Sequence, residues 1–289
     1  LEHSVQVFLK SLNVMLHCMT MTFSLPHSIE PDGSFEQIGI TSLSYARKES
    51  FGDNFHLLRS KLEIPTQGDL VDRQRIRTIL RRSVDQFPAT LISGRSGTGK
   101  TAIAASFAAS EKGASWYTVE SADREWSVFS RYFTRLVAPL GSVVETTNRD
   151  EAQSPSEFEV AKFILETFRT SYIGDRPTRR LLVLDDIHHL FDAEWFDDFF
   201  GFLLYSLPED HRLLMLCRSK PPGPLWRLRS KQMLNVIDEK VIEFKLRETE
   251  DLFDRYGLSR ALACAAHRPC YGRVGRLIQF AEQAVATGD

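Results

Sequence analysis

The chain alternates between two hydrophobic patterns, and this alternation predicts its architecture. Short runs that are apolar at nearly every position are typical of strands covered on both faces, as in a parallel sheet. The longer segments between them carry apolar residues three or four positions apart, which is the spacing of one helix face. We therefore expect an α/β fold with helices on both faces of a parallel sheet. The predicted strands are 89–93, 115–119, 180–186 and 212–217, and the predicted helices are 73–84, 100–110, 126–136, 156–171 and 192–206.

Three of the predicted helices have an apolar stripe that we expect to be buried. The stripes consist of Ile76, Ile79, Leu80 and Val84, of Phe158, Ala161, Leu165 and Phe168, and of Trp195, Phe199 and Leu203. A further apolar stretch at 5–25 is interrupted by Lys10, Asn13 and His17, which favours a buried helix over a membrane span. The polar segment 141–155 is predicted to be a loop.

The first predicted strand continues into LISGRSGTGKT at 91–101, which contains the pattern Gly94-x-x-x-x-Gly99-Lys100-Thr101. Glycines allow the backbone to curl so that its N–H groups converge on phosphate oxygens, and the dipole of the following helix adds positive potential. Lys100 supplies a compact positive charge to the β- and γ-phosphates, and the Thr101 hydroxyl can bind Mg²⁺. A chance glycine-rich turn is not expected between a strand and an alanine-rich helix. The predicted nucleotide-binding residues are Gly94, Arg95, Ser96, Gly97, Thr98, Gly99, Lys100, Thr101 and Ala102.

Two carboxylates, Asp185 and Asp186, follow the apolar run that begins at Arg180. In open α/β sheets, ligands bind at the carboxyl ends of the parallel strands, where we expect these acids to lie. We predict that Asp185 binds Mg²⁺ together with Thr101, and that Asp186 is catalytic because it orients the attacking water. An acidic pair after a strand is by itself often a solvated turn. Together with the phosphate-binding pattern, it predicts that the chain binds a nucleoside triphosphate with Mg²⁺.

Composition narrows the class of protein. The 289 residues are 43% hydrophobic and 26% charged, which suits one large α/β domain plus a smaller one. A net charge of −2 and a pI near 6.5 give no overall electrostatic attraction to DNA or to an anionic membrane. The cysteines are Cys18, Cys217, Cys264 and Cys270. They lack the spacing of metal ligands, so we expect reduced thiols and a cytoplasmic location, with helix packing favoured over a bridge between Cys264 and Cys270. The balance of charge leads us to expect no membrane partner.

Segments outside the phosphate-binding pattern carry a family resemblance. They are LRSKLEIP at 58–65 with LVDR at 70–73, Trp116-Tyr117 with Glu120 and Asp123, LDDIH at 184–188, and CRSKPPGPLWRLR at 217–229. Together they resemble the nucleotide-binding domain of the STAND class of signal-transduction ATPases, in particular the branch of the bacterial maltose-operon activator and LuxR-type regulators. The last segment is the most specific, because a strand ending in arginine precedes a proline turn and a helix. The similarity covers about residues 57–285.

The resemblance implies a P-loop NTPase fold with a small C-terminal helical lid. It divides the chain into an extension of unassigned role at 1–55, an ATP-binding domain at 56–245 and the lid at 246–289. It also implies that Arg218 is a catalytic arginine that contacts the γ-phosphate, and that Arg73 borders the nucleotide. Lys100 joins Asp186 and Arg218 in the predicted catalytic set.

The sequence also departs from the family pattern. Position 217 is Cys where the family usually has Ser. The lid carries YGRVGR at 271–276 in place of the family's Gly-Trp-type motif. Its arginines, Arg273 and Arg276, either reach the phosphates, as in AAA+ lids, or lie on a helix surface, and we favour the helix surface. His188 and His189 are expected to pack and to form hydrogen bonds rather than to bind a metal.

The resemblance implies a regulatory ATPase in which ATP binding and slow Mg²⁺-dependent hydrolysis set conformation or assembly. The expected partners are ATP, ADP and, depending on the nucleotide, further copies of the chain. DNA is expected to bind only through modules that this chain lacks, since the family usually continues into DNA-binding domains beyond the lid helices. Leu1 in place of Met suggests a fragment, a processed product or a non-standard start codon. The alternative is an AAA+-type DNA-associated ATPase similar to a transposition helper. A metabolic kinase is a third option, for which no acceptor-substrate pocket is recognisable.

Overall fold

The computed structural model describes residues 58–66, 68, 71–138, 154–171 and 180–287. The extension at 1–55, with Cys18 and the apolar stretch 5–25, lies outside the described residues, as does most of the predicted loop at 141–155. No helix within the described ranges is long and apolar enough to cross a membrane.

The described strands form one parallel sheet. Their bounds are β1 Ala89–Ser93, β2 Ala114–Thr118, β3 Arg180–Asp185, β4 His211–Cys217 and β5 Leu234–Asp238. The strand order is β2-β3-β4-β1-β5, and each neighbouring pair is parallel. The four predicted strands are confirmed to within one residue at either end. Strand β5 was not predicted, because the polar Asn235 interrupts its short apolar run.

The helices have the following bounds: α1 Gln74–Gln86, α2 Lys100–Ala109, α3 Trp126–Val137, α4 Glu157–Ser171, α5 Phe196–Ser206, α6 Gly223–Ser230, α7 Glu239–Ile242, α8 Leu246–Arg255, α9 Arg260–Cys270 and α10 Val274–Thr287. Short 3₁₀ helices lie at Arg59–Leu62, Ser121–Arg124 and Ile187–Leu190. Helix α5 begins four residues later than the predicted segment 192–206. The preceding residues form a turn instead, in which the N–H of Phe196 donates to the carbonyl of Ala193 over 3.0 Å.

Each face of the sheet carries its own hydrophobic core, because successive side chains of a strand point to opposite faces. In β4, Leu213 and Met215 pack into one cluster, whereas Leu214 and Leu216 pack into the other. Helices α3, α4, α5 and α6 contribute to the first cluster, which is rich in aromatic rings. Helices α1 and α2 contribute to the second. The predicted parallel sheet between two helical layers is thus confirmed.

Helix α4 buries a different stripe from the one predicted. Phe158 was predicted to be buried, but it is 59% exposed. The buried apolar residues of this helix are Val160, Ile164 and Phe168, while Ala161 and Leu165 are only partly buried. The sequence of α4 offers two overlapping apolar stripes, and periodicity alone does not decide between them.

A small helical unit follows the sheet, as expected for a lid. Helices α8, α9 and α10 share a hydrophobic core to which they contribute Phe253, Ala263 and Leu277, respectively. Each of these residues is fully buried. This core is separate from the two that cover the sheet. We refer to α8, α9, α10 and the turns between them as the lid.

Candidate nucleotide-binding site

The phosphate loop, residues 94–99, joins β1 to α2. Gly97 and Gly99 have φ angles of 74° and 86°, a left-handed region that is readily accessible only to glycine. Lys100 begins α2, so the N–H groups of the first helical turn have no partner within the helix. The curled backbone and the positive helix end are the two features that a phosphate-binding loop requires.

The Lys100 ammonium is the buried cation of this loop. Lys100 is 6% exposed, and its Nζ donates a hydrogen bond to the Arg95 carbonyl oxygen over 3.0 Å. Burial lowers the pKa of Lys100, and the nearby Asp186 carboxylate opposes this effect. A buried ammonium is stabilised when an anion lies beside it. The environment of Lys100 therefore fits a phosphate group.

Thr101 and Asp185 meet at the carboxyl end of β3. The Thr101 hydroxyl donates to Asp185 Oδ2 over 2.9 Å, and the Asp186 amide donates to Asp185 Oδ1 over 2.8 Å. Burial and, after it, the neighbouring Asp186 raise the pKa of Asp185 to about 6. A carboxylate that is destabilised in this way gains from a cation, and carboxylate and hydroxyl oxygens are ligands that Mg²⁺ accepts. The two residues thus fit the predicted Mg²⁺ site.

Asp186 and Arg218 form an ion pair beside this carboxylate. Arg218 Nη2 lies 2.6 Å from Asp186 Oδ2, and Arg218 Nε lies 3.1 Å from Asp186 Oδ1. Asp186 has a left-handed backbone with φ of 57°, and its side chain is 15% exposed, against 50% for Arg218. The pairing raises the pKa of Arg218. Two predicted catalytic residues that are 32 positions apart in the sequence are thus in direct contact.

A largely apolar cavity of about 300 Å³ opens next to Gly99. It lies between α1, α2 and the lid, so both parts of the fold contribute to its walls. Its lining residues include Val71, Arg73, Ile76, Ala102, Phe107, Phe244, Tyr256, Val274 and Ile278. A purine base has flat, weakly polar faces, and a largely apolar cavity of this size beside a phosphate loop could hold one.

Arg73 lies at the wall of this cavity, and its guanidinium is held by residues around the start of the lid. It donates to Glu248 Oε1 and Oε2 over 3.2 Å each and to the Ile242 carbonyl over 2.8 Å. It also lies 4.2 Å from the centre of the Phe244 ring. Arg73 therefore connects the segment before α1 with the lid, in addition to its predicted place at the nucleotide.

The remaining predicted loop residues also have defined surroundings. The Gly94 amide donates to the Cys217 carbonyl over 3.2 Å, and the Thr98 hydroxyl donates to the Arg95 carbonyl over 2.9 Å. The Ser96 carbonyl accepts a hydrogen bond from Arg273 Nη2 over 3.0 Å. Ala102 lines the cavity.

The structure corrects one expectation about the lid and adds one residue. Arg273 was expected on a helix surface, yet its side chain is 17% exposed and contacts the phosphate loop, whereas Arg276 is exposed as expected. Glu239 was not predicted, although it binds Arg95 through both carboxylate oxygens. Glu239 directly follows β5, at the carboxyl end of a parallel strand, and this position could have identified it. We did not predict β5, so we did not predict Glu239 either.

The sequence of the chain agrees with this geometry. The model of the family described as "AAA ATPase domain" matches residues 71–216, which is just over half of the 289 residues. The chain belongs to the AAA ATPase domain family. The matched region includes the phosphate loop, Asp185 and Asp186, while Arg218, β5 and the lid follow it. Membership of this family implies that the domain binds a nucleotide, usually together with Mg²⁺.

Several solved structures resemble this AAA ATPase domain. The Walker-type ATPase of Pyrococcus abyssi has 12% sequence identity and a TM-score of 0.49, with 76% of this chain and 69% of that chain covered. A STAND protein with a tetratricopeptide repeat sensor from Pyrococcus horikoshii has 15% identity and a TM-score of 0.45, with 73% and 29% covered. A katanin structure has 15% identity and a TM-score of 0.41, with 72% and 68% covered. At these values, none of the three bears on the function of this domain.

Proposed function

We propose that this AAA ATPase domain is an ATP-dependent regulatory switch of the STAND class, akin to the maltose-operon activator and LuxR-type regulators, and that it acts in the cytoplasm. One observation carries the proposal: the Gly275 amide of the lid donates to the Gly97 carbonyl of the phosphate loop over 2.9 Å. A ligand that binds this loop acts on the lid as well, which a ligand-driven switch requires. We accordingly assign ATP binding to 56–245 and the response to the lid at 246–289.

The proposed ATP site follows from the residues that surround the phosphate loop. The loop amides and Lys100 bind the phosphates, and the cavity beside Gly99 takes the base, with Arg73 at its edge. Thr101 and Asp185 hold Mg²⁺, which neutralises negative charge on the phosphates when it is bound.

Hydrolysis requires a group that orients the attacking water, and Asp186 supplies it. Its carboxylate lies directly beyond the proposed Mg²⁺ ligand Asp185, and its charge is held by Arg218. Both oxygens of this carboxylate accept hydrogen bonds from Arg218, so a water has to compete with the guanidinium for them, which favours slow turnover. We propose a rate well below the typical enzyme value of about 10 per second.

Arg218 is the proposed sensor of the γ-phosphate. Its guanidinium is half exposed and bonded to Asp186, so a γ-phosphate can compete with that carboxylate for the same donors. ATP would then draw Arg218 away from Asp186, whereas ADP would leave the pair intact. The two nucleotides thus stabilise different arrangements at one end of the sheet.

Replacing Arg218 with alanine should preserve binding of both nucleotides but abolish the difference between their effects. We expect affinities for Mg-ATP and Mg-ADP within about threefold of each other, and equal protease protection of the lid with either nucleotide. Limited proteolysis and titration calorimetry measure these quantities. Arg124→Ala serves as the control, because Arg124 is similarly exposed and is paired with Asp192, which is not assigned to the site. Retention of the ATP–ADP difference in Arg218→Ala would exclude Arg218 as the sensor.

A second candidate function, a DNA-associated ATPase, is favoured by one surface. The charged residues of segment 218–233 are all basic, although the whole chain carries a net charge of −2. Trp226 and Tyr205 are 37% and 46% exposed on the same part of the fold, with Arg229 and Lys231 against their rings. Basic and aromatic side chains together are typical of surfaces that bind single-stranded nucleic acid.

The two candidate functions differ in their response to salt and DNA. A DNA-associated ATPase should bind a fluorescent single strand with an affinity that falls steeply between 50 and 200 mM salt, and Mg-ATP should change that affinity. A switch that acts through other modules should bind DNA weakly and without any effect of nucleotide. Fluorescence anisotropy with and without Mg-ATP distinguishes them.

A further inference from the structure

Three consecutive residues of the phosphate loop are held from the C-terminal part of the fold. The hydrogen bonds are from the Arg95 amide to Glu239 Oε2 (3.0 Å), from Arg273 Nη2 to the Ser96 carbonyl (3.0 Å), and from the Gly275 amide to the Gly97 carbonyl (2.9 Å). We call these contacts the loop–lid seam. They join a loop that follows β1 to residues more than 140 positions later in the sequence.

Glu239 lies between an arginine of the loop and an arginine of the lid. Its carboxylate is 2.9 Å from Arg95 Nη2 and 3.8 Å from Arg273 Nε. The side chains of Glu239 and Arg273 are each 17% exposed, and Arg273 Nε has no hydrogen-bond partner among the described residues. The hydrogen bonds from Arg95 lower the pKa of Glu239, so its carboxylate is ionised at neutral pH.

The backbones of the loop and the lid are in direct contact at the seam. A Cβ atom added to Gly275 would lie 3.0 Å from the Gly97 carbonyl oxygen and 3.2 Å from Gly97 Cα. No side chain separates the two segments there, so a small displacement of the loop cannot be absorbed by side-chain rotation. The lid has to follow the loop, or the seam has to open.

Lys100 connects this seam to the proposed phosphate site. Its Nζ donates to the Arg95 carbonyl, and the amide and guanidinium of the same Arg95 bind Glu239. Phosphate beside Lys100 competes with the Arg95 carbonyl for the ammonium. Phosphate binding therefore frees the carbonyl of Arg95 from Lys100, and Arg95 is the same residue that Glu239 binds.

We propose that Glu239 is a positioning residue that transmits the state of the phosphate loop to the lid, through Arg95 on one side and Arg273 on the other. This inference rests on the proposed function, because the loop must bind nucleotide for the transmission to matter. Glu239 need not touch the nucleotide. It sets which loop conformation the lid stabilises, and hence how strongly ATP and ADP binding differ.

The opposing view is that Glu239 forms only a surface ion pair. The Arg95 side chain is 69% exposed, and exposed pairs contribute little. The protein contains a matched control for this view: Glu250 is also 17% exposed and binds the exposed Arg260 over 2.8 Å within the lid. Glu239→Gln and Glu250→Gln therefore remove the same charge from similar pairs, and only the first pair belongs to the seam.

The first experiment compares amide hydrogen exchange in both variants of the nucleotide-free chain. If Glu239 holds the seam, exchange at residues 95–97 and 273–276 becomes at least about fivefold faster in Glu239→Gln and stays unchanged in Glu250→Gln. Equal exchange in both variants would overturn the inference. This readout is independent of ATP binding, so it can fail or succeed separately from the proposed function.

The second experiment is a double-mutant cycle with Glu239→Gln and Arg273→Gln, measured as the ratio of the Kd values for Mg-ADP and Mg-ATP. Transmission through Glu239 predicts that each single variant reduces this ratio at least about fivefold and that the double variant adds little. Thermal unfolding similar to that of Glu250→Gln separates positioning from loss of structure. Additive losses, or a ratio equal to that of the wild type, would overturn the inference. A wild type that binds neither nucleotide would overturn the proposed function instead.

Discussion

Replacing Lys100 with alanine is expected to weaken Mg-ATP binding at least about tenfold, which corresponds to about 1.4 kcal/mol. The ammonium is buried within the phosphate loop and contacts the Arg95 carbonyl. The other cation of the loop, Arg95, is already paired with Glu239. Without Lys100, the phosphates would therefore meet backbone amides but no free positive charge from the loop.

Titration calorimetry with Mg-ATP measures this effect, and thermal unfolding shows whether the variant is folded. Lys112→Ala is the matched control, because Lys112 is exposed beyond the end of α2. We expect its affinity for Mg-ATP to equal that of the wild type. If a folded Lys100→Ala protein also binds Mg-ATP normally, the nucleotide binds elsewhere and the assignment of the phosphate loop is incorrect.

Replacing Asp186 with asparagine is expected to leave ATP binding intact and to lower turnover at least about a hundredfold. Asparagine has the same shape and accepts the left-handed backbone found at this position. It loses the charge that orients the attacking water and that binds Arg218. Single-turnover and steady-state phosphate release, measured at saturating Mg-ATP, report the loss directly. Normal turnover in Asp186→Asn would remove this residue from the catalytic set.

Asp185→Asn provides the contrast to this variant. We expect it to impair Mg²⁺-dependent binding while making the nucleotide-free protein more stable, by roughly 1–2 kcal/mol. The reason is that burial destabilises the Asp185 carboxylate and raises its pKa to about 6, and an amide removes the buried charge. Denaturant unfolding without nucleotide checks the stability, and calorimetry with and without Mg²⁺ checks the binding. A variant that is less stable than the wild type and binds Mg-ATP normally would contradict both the expected gain in stability and the role of Asp185 as a Mg²⁺ ligand.

The sheet and the phosphate loop were predictable because local sequence determines them. Buried parallel strands are apolar at almost every position, and a curled loop needs glycine where φ is positive, as at Gly97 and Gly99. Strand β5 shows the limit of this approach. Its apolar residues are too few and too interrupted to form a recognisable run, although β5 pairs with β1 along its whole length.

The contacts between site residues were harder to predict from the sequence, because they join residues that are distant in the chain. Composition gave no reason to pair Asp186 with Arg218, or Arg95 with Glu239. Arg273 illustrates the same limit, since an arginine near a helix start is usually solvated. The Arg273 side chain reaches Ser96 because the neighbouring Gly275 lies so close to the phosphate loop.

We propose that bound nucleotide sets the position of the lid, and a comparison of ATP with ADP on the wild-type chain tests this proposal. Assembly is measured by light scattering coupled to size exclusion, and protease protection is measured by limited proteolysis, first with Mg-ATP and then with Mg-ADP. We predict different protease protection at residues 246–287 or different assembly with the two nucleotides, and hydrolysis well below about 10 per second. Identical profiles with ATP and ADP, accompanied by fast multiple-turnover hydrolysis, would contradict the account and indicate a working ATPase rather than a switch.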